Sequence, residues 1–480
     1  MNTQRIVTAI LFICALFLCS FALAQKHPRE LPEPKPLSFK PTKPVQFTVA
    51  NGIQVYYFED KNLPLISLNA IFKGGGLYES QEKAGLASMT GSIMRTGGTK
   101  TLTGDQMDEE LEFLAASVSS NMGDEYANVR ANCLTKDFKR VLELFADVIM
   151  NPEFRQDKID LEKNQAKESI RRRWEQPAST ARLLFSDQMF GGTPYGYRTT
   201  FKSLNSITRE DLRAFHARFF APNNMTISIV GDISQADAKK MLEQVFKSWL
   251  KTKVDLPEIS KLTEKADGTV YYAQRETPQA SMVLGHLGVK RGNPDEFKLS
   301  VMNDMFGGGG FTARLMKEIR SNRGLTYGIY GGVQSGRDRG LFQVSSQLKA
   351  AKFVEAITLV KDIIKDMQNN PVPDEELTLS KKSLINSFVF QFESKASIAQ
   401  QTMMLKLNGY PDNYLDTYVE NISKVTKKDI QDVAKKYMDL DKMMLVVVGN
   451  DKMFDKPLST LGKVKEIDYK KIAEEEKAEK

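Results

Sequence analysis

Residues 207–232 read ITREDLRAFHARFFAPNNMTISIVGD, and residues 425–450 read VTKKDIQDVAKKYMDLDKMMLVVVGN. The two stretches align without a gap at an offset of 218 residues. Only five of the 26 positions are identical, yet their polarity matches almost throughout. Each copy is typical of a capped helix, a turn and a buried strand that ends in Gly. Such a match at the ends of both halves predicts a duplicated α+β fold.

The duplication divides the chain into two homologous α+β domains. The predicted boundaries are a signal peptide over 1–24, an extended leader arm over 25–44, an N-terminal domain over 45–249, a linker over 250–268, a C-terminal domain over 269–464 and a solvated charged tail over 465–480. The arm is rich in Pro and Lys, and the linker is polar and carries Pro257.

Local patterns support this organisation. Apolar residues alternate on both sides of Asn51-Gly52, which predicts a hairpin with a type I′ turn. A second strand is predicted over Leu65–Phe72, and helices with a 3.6-residue period over Lys136–Met150 and Lys158–Trp174.

The first 24 residues have the pattern of a secretory signal. Arg5 precedes an almost unbroken apolar run from Ile6 to Phe21, and Ala22-Leu23-Ala24 is a small-x-small cleavage site. We therefore expect an exported protein, periplasmic or secreted. No later segment has 18 uninterrupted apolar residues, so no membrane span is expected in the mature chain.

Composition excludes other classes. The chain has 480 residues, 41% hydrophobic and 26% charged, and its net charge of +7 comes from basic residues interspersed with acidic ones. A nucleic-acid-binding protein would need a concentrated basic face, and no such block of basic residues is present, so no nucleic-acid partner is expected. Cys14 and Cys19 leave with the signal peptide, so Cys133 cannot form an internal disulfide and is expected to be a small buried side chain.

A series of motifs resembles the insulinase or pitrilysin metallopeptidases, especially the two-domain branch that includes mitochondrial processing peptidase. In chain order these motifs are Gly74–Ser80, Gly85–Thr99, Gly192–Gly196, Ala221–Met225 with Val230–Asp232, Phe306–Leu315 and Glu318–Tyr327. The resemblance covers nearly all of the mature chain and implies that each of the two homologous domains is a mostly antiparallel sheet covered by helices, like one half of a clamshell.

The zinc motif of the family is degenerate in this sequence. The family's H-x-x-E-H motif places two zinc ligands and a general base on one helix. The corresponding positions here are Ser88, Gly91 and Ser92. The three histidines of the chain, His27, His216 and His286, are too far apart to replace them. Serine is a poor zinc ligand, so we expect no metal in this chain and no peptide hydrolysis by this chain alone.

The third zinc ligand of the family, a glutamate, would fall between Glu162 and Ser169. The spacing favours Ser169, with Glu168 one position out of register, and the sequence leaves the choice open. Without the histidines, Glu168 is expected to be a solvated helix carboxylate.

Other family positions are retained. Arg320 and Tyr327 match the family's arginine and tyrosine, which reach into a zinc site and stabilise the oxyanion. The alternatives are that Arg320 pairs with Glu318 on the surface and that Tyr327 begins a buried strand. His216 and His286 are expected to be structural.

Two glycine-rich segments are the predicted substrate contacts. By resemblance, Gly74, Gly75 and Gly76 end a strand that lies beside the substrate, although an ordinary turn would have the same sequence. The loop of Gly307, Gly308, Gly309 and Gly310 either lines a peptide chamber or forms a tight helix–helix turn.

Two functions are compatible with this pattern. The first is a non-catalytic subunit that pairs with a homologous exported chain carrying zinc in an intact H-x-x-E-H motif. It would lend Arg320 and Tyr327 to a chamber for extended peptides. The alternative is a non-enzymatic peptide-binding or assembly protein that uses the same fold.

Overall fold

The computed structural model describes residues 40–254 and 256–479, which belong to one compact unit. The predicted signal peptide and residues 25–39 of the predicted leader arm lie outside the described residues. Two six-stranded sheets, each covered by helices, make up the architecture, so the predicted fold class is confirmed. Within the described part of the chain, no helix is long and apolar enough to cross a membrane.

The first sheet has the strand order β1-β2-β6-β3-β5-β4. Its strands are β1 (Val45–Thr48), β2 (Gln54–Glu59), β3 (Leu65–Lys73), β4 (Ser117–Met122), β5 (Tyr126–Leu134) and β6 (Met225–Gly231). Strands β2 and β6 are parallel, and all other neighbours are antiparallel.

The second sheet has the order β14-β7-β13-β8-β12-β10, and its last five strands repeat the arrangement of β2-β6-β3-β5-β4. Strand β7 is parallel to β13, as β2 is to β6, but the edge strand β14 is also parallel to β7, whereas β1 is antiparallel to β2. The strands of the second half are β7 (Val270–Gln274), β8 (Gln279–Leu287), β9 (Val289–Lys290), β10 (Thr326–Val333), β11 (Ser335–Gly336), β12 (Leu341–Lys349), β13 (Met444–Gly449) and β14 (Val464–Glu466). Strands β9 and β11 form a small separate parallel pair.

The helices also repeat. Those of the first half are α1 (Leu86–Thr96), α2 (Gly104–Phe113), α3 (Phe138–Met150), α4 (Gln156–Arg172), α5 (Pro177–Phe190), α6 (Phe201–Ser206), α7 (Arg209–Phe219) and α8 (Gln235–Val245). Those of the second half are α9 (Glu296–Asn303), α10 (Phe353–Asn369), α11 (Asp374–Phe388), α12 (Lys395–Leu407), α13 (Tyr414–Lys424), α14 (Lys427–Tyr437) and α15 (Tyr469–Glu476). Helices α4, α5 and α7 begin 218 residues before α11, α12 and α14, the offset found in the sequence.

The helix starts of the two copies use the same chemistry. Thr208 caps α7 by accepting from the Asp211 amide, while the Asp211 carboxylate accepts from the Thr208 amide. Thr426 and Asp429 form the same capping box at α14. The sequence match therefore reflects repeated backbone hydrogen bonding as well as repeated polarity.

One helix from each half packs on the sheet of the other half. Helix α5 packs on β8 and β13, where Leu184 and Phe185 join Val283 and Val446 in one buried cluster. Helix α12 packs on β2 and β6 in return, with Met403 fully buried. The reciprocal exchange explains why the two halves form a single compact unit.

The C-terminal residues correct one prediction. Residues 464–476 form β14 and α15 instead of a solvated tail. Tyr469, Ala473 and Glu476 form one buried face of α15. The Glu476 carboxylate accepts from Trp174 Nε1 at 2.8 Å. The prediction weighed the high charge of the segment and did not use the helical spacing of these three residues.

The N-terminal hairpin is confirmed with a different turn. Strands β1 and β2 are antiparallel, but the Val49 amide donates to the Ile53 carbonyl at 3.1 Å, which leaves a three-residue loop. Asn51 and Gly52 both have positive φ, 70° and 86°, as their residue types favour.

Candidate functional site

The degenerate zinc motif lies on α1 of the first half. Ser88 is exposed, Ser92 is half-buried and Gly91 is buried. Glu79 caps the start of this helix by accepting from the amides of Gly85, at 2.6 Å, and of Leu86 and Ala87, at 3.1 Å. Burial raises the pKa of the Glu79 carboxyl to about 7, although the three amides act in the opposite direction.

Gly91, which occupies the position of the general base, is in tight contact with β4. A Cβ atom added there would lie 2.2 Å from the Met122 backbone nitrogen and 2.6 Å from the Asn121 carbonyl carbon. Ser120 Oγ also donates to the Gly91 carbonyl at 2.5 Å, which holds helix and strand together. Even an alanine side chain does not fit, so a glutamate cannot be accommodated in this arrangement.

One carboxylate reaches the face of the motif. Ser92 Oγ donates to Glu162 Oε2 of α4 at 3.0 Å. Glu162 stood at the edge of the interval predicted for the third ligand. The sequence spacing alone gave no sign that it lies opposite Ser92.

The two residues favoured for the third position make their hydrogen bonds within α4. Ser169 is exposed, and its hydroxyl donates to the Gln165 carbonyl of its own helix at 3.1 Å. Glu168 pairs with Arg171 and Arg172, whose hydrogen bonds lower the pKa of its carboxyl. Among the described residues, no group of three or more His, Cys, Asp or Glu side chains is placed to hold a metal ion.

The edge of the first sheet beside this site is covered. The Gly123 amide donates to the Tyr126 carbonyl at 2.9 Å, and the alternation of an antiparallel ladder then directs the backbone groups of Val118, Ser120 and Met122 outward. Arg95 Nε donates to the outward Val118 carbonyl at 3.0 Å. Because Gly91 lies against the Met122 amide, an additional strand cannot pair along this part of β4.

Gly74, Gly75 and Gly76 follow β3, an interior strand paired with β5 on one side and β6 on the other. An added substrate strand therefore cannot use β3. Added Cβ atoms would lie 2.5 Å from the Phe219 ring at Gly74 and 2.1 Å from the Gly123 carbonyl at Gly75. These contacts explain the glycines by packing inside the chain, and their role in substrate binding stays a prediction.

The second half has a covered edge of the same kind. Gly307 lies against β10, where an added Cβ atom would be 2.6 Å from the Gly331 nitrogen. The Asn303 side chain donates to the Val333 carbonyl and accepts from the Val333 amide, both at 2.8 Å. Gly307 and Gly308 belong to the π-helical segment Asp304–Gly308.

The remainder of this glycine-rich loop is more open. Gly308 is exposed, Gly309 is half-exposed, and Gly310 has a φ of 61° with open space around its α-carbon. Part of the loop is thus accessible, and its role in a peptide chamber also stays a prediction.

Tyr327 is exposed, and Arg320 is half-buried beside an aromatic ring. The Arg320 guanidinium carbon is 4.3 Å from the centroid of the Phe311 ring, which is 65% exposed. Arg320 forms no ion pair with any described residue, since its neighbour Glu318 pairs with Arg323 at 2.8 Å. Tyr327 lies on β10 and is 90% exposed.

The two side chains do not share a pocket. Tyr327 lines a shallow concavity with Tyr330 and, from α5, Arg182, whereas Arg320 lies outside that lining. Neither predicted structural alternative is found: Arg320 does not pair with Glu318, and Tyr327 is not buried.

Three other reactive side chains are part of the packing. His216 stacks on Phe220 at 4.6 Å, and burial lowers the pKa of its imidazole to about 4. His286 is buried, and its Nε2 accepts from the Asp439 amide at 3.1 Å. Burial raises the pKa of the Cys133 thiol to about 11, so this thiol is not activated.

Comparison with known proteins identifies the family and includes inactive relatives. The model of the insulinase family, peptidase M16, matches residues 58–201, and the model of the peptidase M16 inactive domain matches residues 206–384. The non-peptidase homolog YmxG of Helicobacter pylori is 25% identical over 405 residues, which cover 83% of this chain and 92% of the relative. The uncharacterized zinc protease YmxG of Bacillus subtilis is 22% identical over 415 residues, which cover 85% of this chain and 99% of the relative.

Solved structures give the same result. A crystal structure of a peptidase M16 inactive domain from Pseudomonas fluorescens aligns with a TM-score of 0.79 and 28% identity, covering 87% of this chain and 100% of that one. A protease from Helicobacter pylori aligns with a TM-score of 0.76 and 18% identity over 85% of this chain and 100% of its own, which shows the fold alone. With the family motifs in order and Gly91 closed against β4, the chain belongs to the insulinase family, peptidase M16, as a non-catalytic member.

Proposed function

We propose that this chain is the non-catalytic subunit of a two-chain peptidase. Its partner is a homologous exported chain with zinc in an intact H-x-x-E-H motif. The single observation that carries the proposal is the contact between Gly91 and β4. It leaves no room for a general base, although the rest of the fold is complete.

Arg320 and Tyr327 are the groups that this chain lends to the partner. Neither side chain hydrogen-bonds or ion-pairs within the described residues, so a second chain can use both without breaking an internal hydrogen bond or ion pair. A cation and a phenol are suitable donors to the oxyanion formed during peptide hydrolysis. The substrates are extended peptides, which the partner holds beside its own zinc.

Both chains act outside the cytoplasm in this proposal, since residues 1–24 have the pattern of a signal peptide. N-terminal sequencing of the exported protein tests this point, with Gln25 as the expected first residue. An N-terminus at Met1 would contradict it.

The decisive experiment is a peptidase assay on an unstructured peptide pool with zinc, for each chain alone and for the two together. We expect full activity only in the mixture and a loss of about 100-fold or more in kcat for Arg320→Ala, as for the loss of an oxyanion donor. Tyr327→Phe should also lower kcat. Arg323→Ala and Tyr330→Phe are matched controls on the same elements and should leave the rate within about twofold.

Two results would reject the proposal. One is equal activity of the partner with and without this chain. The other is a mixture that remains fully active with both Arg320→Ala and Tyr327→Phe. Stable association without any effect on hydrolysis would instead favour the alternative of a binding or assembly protein.

A further inference from the structure

A small cavity of about 210 Å³ lies between the two halves, apart from the degenerate zinc motif and from Arg320 and Tyr327. The first half contributes the end of β3 and the β4–β5 hairpin. The second half contributes β9, the residue that follows β11, and the residue that follows α12. The side chains that matter are Lys73, Glu125, Lys290, Arg291, Arg337 and Asn408.

The cavity carries an excess of positive charge. Of its four cationic side chains, only Arg291 is neutralised, by a two-pronged ion pair with Glu125 at 2.9 and 3.0 Å. Lys73, Lys290 and Arg337 make no ion pair with any residue in the described ranges. Three unpaired cations around one small cavity repel one another, and an anion bound among them would remove that cost.

Arg337 is positioned without being neutralised. Its guanidinium carbon is 5.5 Å from the centroid of the Tyr78 ring, whose other close cation is Arg218 at 5.7 Å. The neighbouring carboxylate, Asp338, accepts from the Leu262 amide at 2.6 Å and does not line the cavity. The cation therefore keeps its hydrogen-bond donors available.

Asn408 adds a fixed neutral donor. Its Oδ1 accepts from Tyr126 Oη at 2.8 Å and from Arg291 Nη1 at 2.7 Å. These two bonds to Oδ1 fix the orientation of the amide, and its Nδ2 donates to no group in the described part of the protein. A fixed amide N–H beside several cations is the donor set that oxyanions bind in proteins.

We propose that this cavity binds a single oxyanion, a phosphate or a carboxylate group, and that the bound anion links the two halves through Lys73 on one side and Lys290, Arg337 and Asn408 on the other. The volume of about 210 Å³ admits such a group. Free phosphate and the side chain of an acidic peptide share this chemistry. The site does not depend on the proposed partner or on Arg320 and Tyr327.

Isothermal titration of the mature chain at constant ionic strength tests the proposal. The probes are inorganic phosphate and a short C-terminally amidated peptide with one central Glu, compared with the same amidated peptide carrying Gln. We expect saturable binding of phosphate, of the Glu peptide or of both, and none of the Gln peptide. Lys290→Ala, an exposed position, should weaken binding about tenfold or more, since a charged hydrogen bond contributes about 1.5–3 kcal/mol.

Arg337→Lys keeps the charge but loses the fork of donors and should weaken binding less than Arg337→Ala. Lys349→Ala, an exposed lysine on β12 outside the cavity, is the matched control and should bind like the unaltered chain. Binding of phosphate alone or of the Glu peptide alone identifies the source of the anion. Two results would overturn the proposal. One is no binding of either probe at millimolar concentration, and the other is binding by the Lys290→Ala and Arg337→Ala variants that is as tight as binding by the unaltered chain.

Discussion

Replacing Gly91 by Ala tests the closed zinc position in its simplest form. The substitution adds one methyl group to the middle of α1, where the added Cβ atom would lie 2.2 Å from the Met122 nitrogen. The obstructing atoms belong to the backbone of β4, so no side-chain rotation relieves the clash. Helix α1 must move away from the strand.

The expected cost follows from three contributions. Overpacking a filled core costs about 1–3 kcal/mol, and separation also weakens the hydrogen bond from Ser120 Oγ to the Gly91 carbonyl, worth about 1 kcal/mol. Alanine is a better helix former than glycine by about 1 kcal/mol, which offsets part of the loss. We therefore expect Gly91→Ala to lower the free energy of unfolding by about 1–3 kcal/mol.

Urea unfolding followed by circular dichroism measures this change. Ser88→Ala is the matched control, because Ser88 is exposed on the same helix and its replacement should change stability by no more than about 0.5 kcal/mol. If Gly91→Ala unfolds at the same urea concentration as the unaltered chain, or at a higher one, then α1 is not closed against β4. The same experiment on Ser88→His, Gly91→Glu, Ser92→His, which restores the family motif, should give a still less stable protein without peptidase activity.

Three further predictions concern side chains buried in the packing. Glu476→Ala removes the buried carboxylate that the half-buried Arg173 and Arg198 and the Trp174 indole share, and it should lower the free energy of unfolding by about 2–4 kcal/mol, whereas Glu479→Ala, at an exposed carboxylate, should have almost no effect, both measured by urea unfolding. The pKa of Glu79 is raised to about 7, so this carboxyl should make the protein less stable as pH rises from about 4.5 to 7, and Glu79→Gln should flatten that fall when stability is measured across this range. Subtracting the two pH profiles removes the opposite contribution of His216, whose lowered pKa of about 4 reduces stability as pH falls below 6.5. Cys133 should react with an aromatic disulfide reagent only after unfolding, and rapid reaction of the native protein would contradict the burial of its thiol.

The sequence was most informative where a pattern is repeated. The 218-residue offset between residues 207–232 and 425–450 recurs in the helix starts and in the capping boxes at Thr208 and Thr426. Two copies of one folding pattern need the same caps and the same buried strands, so polarity stays matched although few residues are identical. The domain boundaries themselves stay a prediction.

The sequence was least informative where distant segments meet. Glu162 contacts Ser92 across 70 residues, and no local period indicates that partnership. Glu476 and Trp174 meet across 302 residues, although the i, i+4, i+7 spacing of Tyr469, Ala473 and Glu476 was visible in the charged segment. The sequence itself places Ser88, Gly91 and Ser92 at the motif positions, and their assignment as lost ligands stays a prediction; the closure of Gly91 on a strand needed coordinates.

The covered edges of the two sheets bear on the division of roles between this chain and a partner. In the second half, where the family carries no zinc motif, Gly307 lies against Gly331 as Gly91 lies against Met122 in the first half. The helix–strand packing of the first half therefore resembles that of the second half. In both halves, the edge strand beside the helical segment, β4 or β10, is closed to an added peptide strand. In the proposed two-chain peptidase, a peptide that cannot add to these two edges pairs with the partner's sheet, and this chain acts on it through side chains such as Arg320 and Tyr327. That constraint predicts that the Arg320→Ala variant changes kcat in the mixed assay with little change in KM, because the substrate is bound elsewhere.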